Sequence, residues 1–122
     1  MLRVLAFEDT VDIEALLISR GVDVSQVHLT QHWTTNDALL HIETCAPDVL
    51  LLDHFIPPST GLEVLRAHLA LTAKGARRPP TIIAMSSEAR CNEAMVDAGA
   101  DGGVVKHRLA TLPFWPRATT GR

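Results

Sequence analysis

Short apolar runs recur along the chain, each bounded by polar or turn-forming residues. They are Val4-Leu5-Ala6-Phe7, Val49-Leu50-Leu51-Leu52, the stretch from Thr81 to Met85, and Val104-Val105. Runs of this length, flanked by Asp, Ser and Gly, predict buried strands over Leu2 to Phe7, Asp48 to Asp53, Thr81 to Met85 and Gly103 to Lys106. Val27 to Gln31 predicts one more strand. Between the strands, apolar residues fall at helical spacing. Ile13, Leu16 and Leu17 share one face of a helix that Thr10 is placed to cap and Gly21 to stop. Ala38, Leu39 and Ile42 mark a second helix, capped by Thr34 or Thr35 and ended by Pro47. Leu62, Leu65 and Leu69 mark a third between Gly61 and Leu71, and Glu88 to Ala98 a weaker fourth closed by Gly99. Leu109 and Leu112 begin a last helix that Pro113 and Pro116 cut short.

Strands that alternate with helices predict an α/β fold, a doubly wound parallel sheet with helices on both faces. The strand before Asp53 is apolar without alternation, as a central strand covered on both faces should be. In such sheets ligands bind beyond the carboxyl ends of the strands. Glu8 and Asp9, Asp53, Ser86 and Lys106 each follow a predicted strand and map to that edge.

Composition narrows the function. At 122 residues the chain fits one domain, residues 1–122, with the tail from 118 to 122 expected to be disordered. A hydrophobic content of 47% with 20% charged residues indicates a folded chain, and a net charge of −3 gives no electrostatic support for nucleic-acid binding. No apolar stretch approaches the ~18 residues of a membrane span, and the N-terminus lacks a signal-peptide layout, so a cytoplasmic protein is expected. Cys45 and Cys91 fall in predicted helices and read as reduced, half-buried thiols. His28 and His32 lie four apart on a strand, which is not metal-ligand spacing.

Three carboxylates at one edge repel. Two unit charges ~4 Å apart cost ~4 kcal/mol at an effective dielectric near 20. Lys106 alone does not offset that, whereas Mg²⁺ accepts one or two carboxylates together with water and phosphate oxygens. Asp53 is then both a candidate metal ligand and a candidate nucleophile able to form an aspartyl phosphate. Phosphoryl transfer requires mainly positioning and charge neutralisation, which Mg²⁺ and a lysine supply. The Ser86 hydroxyl is placed to hydrogen-bond phosphoryl oxygens.

The set Glu8-Asp9, Asp53, Pro57, Gly61, Ser86 and Lys106, with Gly99-Ala100-Asp101-Gly102 before the last strand, resembles the response-regulator receiver domain of the CheY-like type over nearly the full chain. That resemblance implies a flavodoxin-like sheet of strand order 2-1-3-4-5. It implies phosphorylation at Asp53 and Mg²⁺ held by Asp9, Asp53 and the backbone carbonyl of Phe55, with Glu8 acting through water. Ser86 and Lys106 would bind the phosphoryl group. It further implies a histidine kinase or phosphotransfer protein as donor and a downstream protein partner or fused domain as output. Catalysis is then limited to self-phosphorylation and autodephosphorylation. Phe55, two residues beyond the acceptor, stands where the family governs access of the hydrolytic water, which implies slow autodephosphorylation.

Three departures concern output. Gly103 stands where the family has Tyr or Phe, so the usual aromatic coupling residue is missing. His107 follows Lys106 in place of Pro, so a trans peptide is expected there. The clipped ending Lys106-x-x-Leu109-x-x-Leu112-Pro113 is similar to receivers attached to sensor kinases. One rival is a phosphatase of the haloacid dehalogenase type, which needs a second acid two residues after its nucleophile, where this chain has Phe55. The other is a pseudo-receiver, an interaction module that does not cycle phosphate.

Overall fold

The computed structural model describes residues 1–119. Five parallel strands form the sheet: β1 Leu2–Phe7, β2 Val27–His32, β3 Val49–Leu52, β4 Thr81–Ala84 and β5 Gly102–Gly103, in the order β2-β1-β3-β4-β5. The registers Val4↔Val49 and Val49↔Thr81 bring the carboxyl ends of the three central strands to one edge. Four helices, α1 Ile13–Ser19, α2 Ala38–Cys45, α3 Gly61–Thr72 and α4 Ala89–Asp97, connect the strands.

Side chains of the central strands alternate between two cores, as the period of two requires. Val4, Ala6, Val49, Leu51 and Met85 pack with Ile13 and Leu17 of α1 and with Leu109 and Trp115. Leu5, Phe7, Leu50, Leu52 and Ile82 pack with Ile42 of α2, Leu65 of α3 and Met95 of α4. Burial on both faces explains why β3 is apolar at every position.

Several helix starts differ from expectation. Asp12, not Thr10, caps α1, its carboxylate accepting the Ala15 N–H. Neither Thr34 nor Thr35 caps α2. Asp37 holds that position in a left-handed conformation, and the Thr35 hydroxyl donates to the Ser59 carbonyl. Thr60 and Glu63 form a capping box that fixes α3 directly after the β3 loop.

The C-terminal part departs most. β5 spans two residues, and Lys106–Thr111 form a 3-10 turn where a last helix was expected. The chain then turns at Pro113 and Phe114 before passing the end of α1. Trp115 is buried against that side of the sheet and donates its indole N–H to the Leu109 carbonyl. Arg117 bridges Val22, and the Ala118 N–H donates to the Gly21 carbonyl, so the tail is still pinned at 118, where disorder was expected to begin. Residues 120–122 of that expected tail lie outside the described residues. Among the described residues the cis peptide is Pro57–Pro58, and Lys106–His107 is trans.

Candidate functional site

Glu8 and Asp9 follow β1, Asp53 follows β3, and Ser86 follows Met85 at the end of β4. One carboxylate oxygen from each of Glu8, Asp9 and Asp53 lies within 4.8 Å of the others. Glu8 is fully buried, Asp53 nearly so, and Asp9 is half-buried. Lys106, at the start of the C-terminal turn, reaches into the cluster. Its Nζ stands 2.7 Å from Glu8 Oε1 and 3.7 Å from Asp53 Oδ2. The parallel order β1-β3-β4 is what assembles these residues, which are up to about a hundred positions apart in sequence.

The two buried acids are held differently. Glu8 Oε2 accepts the Thr10 N–H at 2.9 Å, the Thr10 hydroxyl at 2.8 Å and the Val11 N–H at 3.0 Å. Burial raises the Glu8 pKa, but the Lys106 contact and the Thr10 hydrogen bonds outweigh it, and the net direction is down. Asp53 goes the other way. Burial, then the Glu8 and Asp9 charges, push its carboxyl up to about 6, against partial relief from Lys106. Asp53 Oδ1 is buried and has no hydrogen-bond partner. A buried carboxylate oxygen with no donor, facing two further acids, is the arrangement that a hard cation completes. The donor set therefore fits Mg²⁺.

Asp53 is fixed from the backbone. Its N–H donates to the Phe7 carbonyl, and Gly61 packs against it so closely that a Cβ at position 61 would stand 2.1 Å from the Asp53 carbonyl oxygen. Gly61 is thus required by a close backbone approach. Ser86 is fully buried. Its hydroxyl oxygen accepts the Glu88 N–H at 3.1 Å, and the neighbouring Met85 N–H donates to the Leu52 carbonyl. Phe55 is 58% exposed, in the loop between β3 and α3, with its ring set edge-on to His54.

Two residues of this edge were missed in the sequence. Thr10, read there as a helix cap, instead binds Glu8. Asn92 is buried and clamps Ser86 through 2.7 and 2.9 Å hydrogen bonds. The available signal was Asn92 three residues before Met95, a polar side chain on the buried stripe of α4.

No helix among the described residues is long and apolar enough to cross a membrane. No family model and no curated protein matches the sequence. Solved structures do. The response regulator domain of Thermotoga maritima CheB is 21% identical, with a TM-score of 0.66 over 93% of this chain and 84% of that one. The signal receiver domain of a DNA-binding response regulator from Colwellia psychrerythraea is 19% identical, at 0.67 over 93% and 89%. The receiver domain of an Arabidopsis thaliana histidine kinase, complexed with Mg²⁺ and BeF₃⁻, is 19% identical, at 0.64 over 90% and 85%. The chain has the CheY-like fold of response-regulator receiver domains.

Proposed function

We propose that this chain is a phospho-accepting receiver of a two-component system. The observation that carries the reading is Asp53 itself: a buried carboxylate with an unpartnered oxygen, grouped with Glu8 and Asp9 and faced by Lys106 at 3.7 Å. The receiver fold supports it.

A carboxylate oxygen of Asp53 attacks the phosphorus of a phosphohistidine on a histidine kinase or phosphotransfer protein. The P–N bond breaks, the imidazole leaves with the bonding pair, and an acyl phosphate remains. Mg²⁺, held by Asp9, Asp53 and the Phe55 carbonyl with Glu8 through water, would neutralise charge on the acids and the incoming oxygens. Lys106 has two roles here. Its contact with Glu8 keeps that acid ionised, and its ammonium stands close enough to Asp53 to pair with a phosphoryl oxygen. The Ser86 hydroxyl carries a proton that it can direct to another phosphoryl oxygen while it still accepts from Glu88. Activity beyond this self-catalysed transfer and the later hydrolysis is not required. The output is then a change in how a downstream protein, or a fused domain, is bound.

A second reading has a specific observation behind it. Gly103 removes the usual aromatic, and a 3-10 turn over Lys106–Thr111 stands in place of a C-terminal helix. A pseudo-receiver would show those changes without cycling phosphate. Incubation with acetyl phosphate and Mg²⁺ separates the two readings. The receiver labels, and Asp53→Ala does not. A folded wild-type chain that never labels is a pseudo-receiver.

A further inference from the structure

The backbone of the site's hydroxyl residue, Ser86, is tied to helix α4 by one side chain. Asn92, on α4, is 5% exposed and makes three hydrogen bonds. Its Oδ1 accepts the Ser86 N–H at 2.7 Å, and its Nδ2 donates to the Ser86 carbonyl at 2.9 Å and to the Val104 carbonyl at 3.1 Å. Both backbone groups of Ser86 are therefore held by one amide, and that amide also holds the chain two residues before Lys106. The side chain uses one acceptor and both of its donor hydrogens, which leaves little freedom to rotate.

Position 103 is matched to this arrangement. A Cβ on Gly103 would stand 2.9 Å from the Asn92 Cβ and 3.5 Å from a Val96 methyl carbon. A side chain at 103 would displace Asn92 or push α4 outward. The Gly103 backbone lies in β5 beside β4, so α4 approaches the sheet closely here because position 103 has no side chain. The N-cap residue Glu88 makes no side-chain capping bond of its own, and its N–H is held by the Ser86 hydroxyl at 3.1 Å.

We propose that Asn92 is the positioning residue that couples Ser86 to helix α4, in the role left open by the absent aromatic at Gly103. This rests on the receiver reading above. When a phosphoryl oxygen draws the Ser86 hydroxyl toward Asp53, the Ser86 peptide groups move with it. Asn92 follows because it grips those groups from both sides, and α4 follows because Asn92 is part of it. The same amide restrains Val104 and through it the approach of Lys106, so the two phosphoryl-contacting residues are set by a single clamp. A rotamer change at position 103 is not needed.

Asn92→Asp keeps the acceptor for the Ser86 N–H and removes both donations, while Gly103→Ala leaves Asn92 intact and forces it out of place. Backbone amide NMR spectra recorded with Mg²⁺ and BeF₃⁻, a phosphoryl mimic, read the coupling directly. In the wild type, the Ser86 region and the α4 amides of Glu93, Val96 and Asp97 should shift together. In both variants the shifts near Asp53 and Ser86 should persist while the α4 shifts fall several-fold. Phosphorylation by acetyl phosphate should slow about tenfold in Asn92→Asp, in line with two lost hydrogen bonds. Asn92→Gln, which restores both donors on a longer arm, should recover part of the α4 response. If the α4 amides respond equally in wild type, Asn92→Asp and Gly103→Ala, the coupling role is wrong while the receiver reading stands. If the wild type shows no response near Asp53, the receiver reading fails and takes this inference with it.

Discussion

Replacing Asp53 with asparagine should stabilise the metal-free protein, although it removes the residue on which the proposed chemistry depends. The Asp53 carboxyl titrates near 6 in the fold, against 3.8 for an unhindered aspartate, because burial and the neighbouring acids disfavour its charged form. The folded state thus holds this proton to higher pH than the unfolded state. The stability that the protonated form contributes is complete below pH 3.8 and is lost as pH rises through 6. A difference of about two units corresponds to about 3 kcal/mol, which we take as a ceiling, since the nearby Lys106 adjusts when the charge is removed. The neutral amide of the Asp53→Asn variant avoids that loss. Urea denaturation in EDTA should show Asp53→Asn more stable by about 1–3 kcal/mol at pH 7.5. The difference should open between pH 4 and 6 and stay level above 7. For a domain of this size that is a rise in Tm of about 4 °C per kcal/mol. Saturating Mg²⁺ should narrow the gap, because the wild type gains a ligand that binds only the folded state. A variant equal to or weaker than the wild type at pH 7.5 without metal would refute the electrostatic reasoning.

Lys106→Met removes the cation facing two buried acids and should cost about 3 kcal/mol at pH 7.5, shrinking as pH falls through 6 and Asp53 takes up a proton; chemical denaturation on either side of pH 6 checks this. Gly61→Ala places a methyl group 2.1 Å from the Asp53 carbonyl oxygen and should lower the unfolding free energy from urea denaturation by about 3 kcal/mol or more, on the order of the largest single-site effects. Trp115→Ala empties a buried site beside α1 and should cost about 3–5 kcal/mol by the same assay. Phe55→Asn should shorten the lifetime of the phosphorylated form, since a polar side chain replaces an apolar ring beside the acceptor; decay of the label after donor removal measures it, and an unchanged lifetime removes Phe55 from the account.

The sheet was legible in the sequence because its signal is local. Four consecutive apolar residues before Asp53 have no amphipathic alternative, and the acids and lysine that end such runs mark the strand ends. Helix caps were less legible. Thr10 and Asp12 are both good caps, and only the arrival of Glu8 decides that Thr10 is engaged elsewhere. Thr35 is similarly claimed by Ser59, 24 positions away. The Thr60-Gly-Leu-Glu63 capping box was present as a local pattern and is realised in the fold. Beyond Lys106, Pro113 and Pro116 foretold that a full helix would not form. That Trp115 would cover the sheet is a tertiary outcome with no periodic signal. Asn92 was hidden for a different reason: one polar residue in a weak helix reads as surface until its three partners are in place.

The most direct measurement is the site of phosphoryl attachment. The chain is incubated with acetyl phosphate and Mg²⁺, the acyl phosphate is reduced with borohydride, and the modified peptide is sequenced by mass spectrometry. One phosphoryl group per chain, mapped to Asp53, lost with EDTA and absent from Asp53→Ala, is the predicted result. Labelling that persists in Asp53→Ala, or a folded wild type that acquires no label, would contradict it.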